Sequence, residues 1–186
     1  QGFGLRQYSQ PTGLLNVKVD GRRTYFEWLN AGQYACQGSR GAMSMAAGEG
    51  LIQSLFFGFE SARLAIRLDA RAGPFRERLG AIDALRLAFY SPEGYELRVA
   101  NLSGKRPSGS LLFRGKPVPR AAVEVAADLV FEAAIPLENL NVATEDPIQF
   151  FIELHAGRLV AERVPTEGTI ETAVPGEDYE MIMWQA

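Results

Sequence analysis

Two runs of alternating residues, 51–59 and 63–71, separated by Glu60-Ser61-Ala62, limit what this chain can fold into. In the second run Leu64, Ile66, Leu68 and Ala70 fall on one side, and Arg63, Ala65, Arg67, Asp69 and Arg71 on the other, because successive side chains of a strand point to opposite faces. Leu55, Phe57 and Phe59 form a matching apolar row in the first run. Gly58 stands where a bulge or a close backbone approach would suit it. The pair predicts an antiparallel hairpin with one apolar face and one wet face.

The same period recurs along the chain. Leu15, Val17 and Val19 alternate with polar residues and run into an Asp20-Gly21 turn. Residues 24–29, aromatic and β-branched, predict a second strand that ends in Asn30-Ala31-Gly32. Residues 42–46 predict a short strand closed by Gly48-Glu49-Gly50. Residues 73–80, with Pro74, predict a loop or irregular helix. Leu85, Leu87 and Phe89, the turn Ser91-Pro92-Glu93-Gly94, and Tyr95, Leu97 and Val99 make a second hairpin. Residues 101–109 are by composition the most mobile internal stretch. Strands are expected at 111–113, at 121–127 (where a helix competes) and at 129–135, whose run meets Pro136 and passes into a short helical turn through Leu140. Further strands are expected at 148–154, 159–164, 169–174 and 181–184. With 19 glycines, 10 prolines and few helix-period patterns, ten to twelve strands predict an all-β antiparallel two-sheet sandwich with short helical turns.

A chain of 186 residues, 47% of them hydrophobic, suits one core, so residues 14–186 read as a single domain and 1–13 as a loose flank. A start at Gln1, with no initiator methionine, suggests a piece of something longer or a processed product. The net charge of −3 and the scattered cations argue against nucleic acid as a partner. No apolar run approaches the roughly 20 residues of a membrane span. Cys36 is the single cysteine, which rules out an internal disulfide and fits a reducing compartment, with the cytoplasm as the expected location.

For chemistry, the stretch 20–34 draws attention. Tyr25, Trp28 and Tyr34, with the Glu27 carboxylate and Trp184 near the end, are the candidate carbohydrate-binding residues: rings stack on sugar faces while a carboxylate orients hydroxyls. The same aromatics would equally fill a sandwich core or a contact with a neighbouring domain. Core or contact filling is favoured for Trp184, and Trp28 and Tyr34 stand evenly between the two. Strand alternation would put Tyr25 and Glu27 on the face opposite Phe26 and Trp28. Glu27 with Glu177 or Asp178 could supply a hydrolytic carboxylate pair, yet nothing selects any pair among the 22 acidic residues. His155 reads as a strand-end residue with no nucleophile beside it. One His and one Cys exclude a blue-copper site. Met43, Met45, Met181 or Met183 with His155 could ligate haem, although alternating methionines more often fill cores. No cofactor is expected, and a structural Ca2+ stays open in the absence of a dense Asp/Asn loop.

Asp20-Gly21, Tyr25-Phe26-Glu27-Trp28 and Ala31-Gly32-Gln33-Tyr34 together resemble the start of the C-terminal domain found in many glycoside hydrolase family 57 proteins. Leu55-Phe56-Phe57-Gly58-Phe59 followed by Leu64-Ala65-Ile66-Arg67-Leu68-Asp69 resembles that domain's hairpin. Glu162-Arg163-Val164-Pro165, Val174-Pro175-Gly176-Glu177-Asp178-Tyr179 and Trp184 resemble its end. Phe131-Glu132-Ala133-Ala134-Ile135-Pro136-Leu137 is similar to an element of family 9 carbohydrate-binding modules and DOMON sandwiches. The resemblance implies an immunoglobulin-like β-sandwich, non-catalytic by itself, attached to an α-amylase or glucan-branching type enzyme. It would bind α-glucan weakly or dock on the N-terminal catalytic domain of the same or a partner chain. The alternative it implies is a stand-alone DOMON-like ligand- or haem-binding domain.

Overall fold

The alternation at 51–71 folds as the sequence requires. In a computed structural model, which describes residues 7–36 and 50–176, β2 (Ile52–Glu60) and β3 (Arg63–Ala70) pair antiparallel with Phe57 opposite Ile66 and Phe59 opposite Leu64. A register shift lies between Ile52 and Ser54 rather than at Gly58. Gly58 instead accommodates Leu15: a Cβ at this glycine would stand 2.8 Å from the Leu15 Cδ1.

The protein is an all-β sandwich of two antiparallel sheets. The remaining strands are β1 (Gly32–Ala35), β4 (Ala84–Ser91), β5 (Tyr95–Ala100), β6 (Ser108–Phe113), β7 (Lys116–Pro117), β8 (Glu124–Ala127), β9 (Phe131–Pro136), β10 (Pro147–Ala156), β11 (Leu159–Val164) and β12 (Ile170–Ala173). One sheet has the order β1-β2-β3-β9-β8. The other has the order β11-β10-β4-β5-β6-β7, with β12 also on β10. The apolar rows of both sheets, including Leu55, Phe57, Leu87, Phe131 and Phe150, meet in one core. Phe57 and Phe150 touch edge to face across it, with centroids 6.2 Å apart. At one edge the Glu162 carboxylate of β11 accepts the backbone N–H of Leu51 (2.6 Å) and of Ile52 (2.9 Å), which ties the two sheets together.

Three expectations change. Residues 24–29 form no strand: Phe26–Trp28 is a turn of 3-10 helix. Leu15 and Val17 are buried as their period predicts, but that segment pairs with no strand, and its backbone bonds go to Phe59, Glu60 and Glu27 instead. The outward face of β3 is not wet, because Ala65, Arg67 and Asp69 are all buried. One cause underlies all three: residues 14–31 lie as a strap across the outer face of the five-stranded sheet, with Leu15, Val17 and Trp28 packed on Ala65. The described part of the N-terminal flank is bonded too, with Tyr8 bridging Tyr34, and Ser9 and Thr12 donating to the carbonyls of Gln33 and Asn30. The strands expected at 42–46 and 181–184 lie outside the described residues.

Gly32 is the tightest point of this arrangement. A Cβ there would stand 2.6 Å from both the Phe57 ring and the Ser9 carbonyl oxygen, and the carbonyl belongs to backbone that cannot swing aside. Gly32→Ala is expected to cost about 1–3 kcal/mol, as overpacking does, read as a lower urea midpoint with an unchanged slope.

Candidate functional site

The strap carries Tyr25, Glu27 and Trp28 of the residues that the sequence singles out, and it divides them, while Tyr34 follows in β1. A buried carboxylate anchors the strap's turn and its tryptophan: Glu132 projects from the outer side of β9, with no exposed surface. Its Oε1 accepts the N–H groups of Asp20 (3.0 Å) and Gly21 (2.8 Å), and its Oε2 accepts the Trp28 indole N–H (3.0 Å). Gly21 takes φ +77° with Asp128 against it, so the Asp20-Gly21 turn suits glycine on both counts. Beside Glu132, the Arg67 guanidinium clamps Asp69 through two bonds (2.6 and 2.8 Å), donates to the Thr24 carbonyl (3.1 Å) and stacks on Phe56 at 4.7 Å. Arg63 pairs with Glu60 and Glu124.

Trp28 is thus an anchor, 5% exposed, and Tyr34 is a core residue, 6% exposed, whose hydroxyl bonds Thr166. Burial raises the Tyr34 pKa. Neither ring presents a stacking face to solvent. Glu27 accepts the Lys18 N–H at 2.9 Å. Tyr25 and its neighbours Phe26 and Leu29 project outward, 71%, 83% and 55% exposed, with the two rings edge to face at 5.4 Å. The helical turn separates Trp28 from Tyr25 and Phe26, and strand alternation in β1 buries Tyr34. Trp184, Glu177, Asp178 and the four methionines lie outside the described residues.

The opposite surface carries a second cluster, on the outward side of the seven-stranded sheet. Tyr90 of β4 is well exposed and lies 6.4 Å from the Phe151 ring of β10. Arg163 of β11 stacks on Phe151 at 4.1 Å. Arg86 reaches Glu96 (2.6 Å) and Glu153 (3.3 Å), and Glu153 also contacts His155 (3.0 Å). Ala88 sits between Phe151 and Glu96 in register, so a small side chain forms the floor among larger ones. Burial would raise the pKa of Glu96 and Glu153, but Arg86 and Arg98 outweigh it at Glu96, and His155 and Arg86 outweigh it at Glu153, leaving both low. These are planar acceptors and donors beside rings, the surface chemistry that sugars use. No group of three or more His, Cys, Asp or Glu that could hold a metal occurs among the described residues.

Sequence reasoning missed this cluster and missed Glu132. Signals for both exist. Phe151 is an aromatic on the polar phase of β10, and Glu132 is a charge inside the apolar run 129–135.

No family model, curated protein or solved structure matches the chain. No helix among the described residues is long and apolar enough to cross a membrane.

Glu132 generates a prediction with a definite sign. Burial raises its pKa, against the opposing hydrogen bonds of Gly21, Asp20 and Trp28. A carboxyl raised on folding contributes stability that is complete below its unfolded pKa and is lost as pH rises through the folded value. The stability difference between the wild type and Glu132→Gln should therefore shrink as pH rises above the ordinary carboxylate range, measured by urea denaturation at several pH values. Glu132→Ala, which strands three donors, should cost about 3 kcal/mol or more.

Proposed function

We propose that the chain is a non-catalytic accessory module of a glycoside hydrolase family 57-like enzyme, and that it holds α-glucan on the open face of its seven-stranded sheet. The observation that carries this reading is the exposed Tyr90 ring beside Phe151, bordered by Arg86, Glu96, Glu153 and His155. A ring stacks on the apolar face of a glucose unit, and charged planar groups already held in place accept and donate to its hydroxyls without further ordering cost. The resemblance of residues 20–34, 55–69 and 162–165 to the C-terminal domain of that enzyme family supplies the glucan.

The carboxylates support binding over hydrolysis. A glycosidase acid needs a raised pKa and access to the substrate. Glu132 has the first and not the second, since it is buried with both oxygens occupied. Glu96 and Glu153 are held low by arginine and histidine.

A second reading rests on the strap. Tyr25, Phe26 and Leu29 stand out from a turn whose underside is pinned through Trp28, and fixed apolar side chains of this kind suit a contact with a catalytic domain.

Titration of the protein with maltohexaose, followed by amide chemical shifts, separates the two. Shifts should concentrate on β4 and β10, and Tyr90→Ala should weaken binding by about tenfold or more, the scale of one lost aromatic contact, with its melting temperature unchanged. A flat titration at millimolar sugar contradicts glucan binding and leaves docking. Shifts confined to residues 25–29 move the sugar site to the strap.

A further inference from the structure

A cleft of about 360 Å³ opens between β8, the loop after β5 and the 3-10 turn Phe75–Arg78. Its walls are lined by Arg76, Lys105 and Arg106 together with Asp20, whose Oδ1 accepts the Arg22 N–H at 2.9 Å, and Asp128. None of these five takes part in an ion pair among the described residues, although all line one cavity. Backbone hydrogen bonds fix both walls. The Arg76 N–H donates to the Asp128 carbonyl (2.9 Å), Val130 donates to the Gly21 carbonyl (3.1 Å), and Asp128 donates to the Val130 carbonyl (3.0 Å). On the other wall the Asn101 amide donates to the Arg106 carbonyl (3.3 Å), and Gly104 donates to the Asn101 carbonyl (3.0 Å).

We propose that this cleft binds a small sugar carrying an anionic group, a phosphate monoester or a carboxylate. Two guanidinium forks and an ammonium match such an anion, and the forks can bond it bidentately. Asp20 and Asp128 carry no donors, so they repel a bare anion; a ligand that also brings hydroxyls supplies the donors these carboxylates accept. One ligand then satisfies both halves of the wall. The volume lies at the lower end of the range for small-molecule sites, the size of a single sugar ring. The site is separate from the open sheet face. Maltooligosaccharides lack the anion, so this proposal and the glucan reading fail independently.

Calorimetric titration of the whole chain at low ionic strength tests it, with glucose 6-phosphate, glucuronate, glucose and inorganic phosphate as probes. One or both of the anionic sugars should bind, and whichever does so identifies the anion. Glucose and inorganic phosphate should each be weaker by about tenfold, the loss of one charge-assisted contact. The double variant Lys105→Ala/Arg106→Ala should weaken the anionic sugar by about tenfold or more, and so should Arg76→Ala on the facing turn, each at an unchanged melting temperature. Asp128→Asn should weaken the sugar ligand while leaving inorganic phosphate unweakened. Absence of heat with both anionic sugars overturns the proposal. So does inorganic phosphate binding as tightly as the sugar, or full affinity in both folded cation variants.

Discussion

Glu132 is the residue on which the outer half of the molecule depends. A carboxylate taken out of water is costly unless its lone pairs are filled, and here two backbone N–H groups and an indole N–H fill them. The bonds join β9 to a strap more than a hundred residues earlier in sequence. With the strap in place, Leu15 fits the space at Gly58, Val17 and Trp28 cover Ala65, and Arg67 finds a carbonyl acceptor at Thr24. Without it, a row of small and charged residues on β3 and β9 would face solvent, and Leu15, Val17 and Trp28 would have nothing to pack on.

The two sheets consequently have different outer faces. The five-stranded sheet is covered, and its polar groups are committed to structure: Arg67 to Asp69, Arg63 to Glu60 and Glu124, and Glu132 to the strap. The seven-stranded sheet is open, with Tyr90 exposed and a charged network around Arg86 at its surface. Binding residues are expected where side chains are ordered by neighbours yet still reach solvent. That places the glucan proposal on the open sheet and makes the strap, through Tyr25 and Phe26, a feature that faces outward from a fixed base.

Period-2 patterns made most of the sandwich legible in the sequence. The hairpin at 51–71, the hairpin around Ser91-Pro92-Glu93-Gly94 and the helical turn after Pro136 are found where alternation and proline placed them. Such patterns report only whether a side chain is buried, not what buries it. Leu15 and Val17 alternate like a strand because they pack on a sheet face, and no ladder is involved. Tyr25 through Leu29 have strand propensity, but Glu132, a hundred residues away, captures the Trp28 indole and the turn before it, and tertiary bonds of that kind override local preference. For the same reason Trp28 is an anchor and Tyr25 an exposed ring, while Tyr34 is buried by the alternation of β1. The open-face cluster depends on register between β4, β5 and β10, which a linear pattern does not contain.

Hydrogen exchange at the Trp28 indole N–H tests this account most directly. If the Glu132 bond holds the strap as a packed layer, the indole proton exchanges slowly in the wild type, with protection approaching that of the central strands, and exchanges rapidly in Glu132→Ala that remains folded. An indole proton that exchanges at the rate of a free tryptophan in the wild type would contradict it, because the strap would then open without the sandwich unfolding.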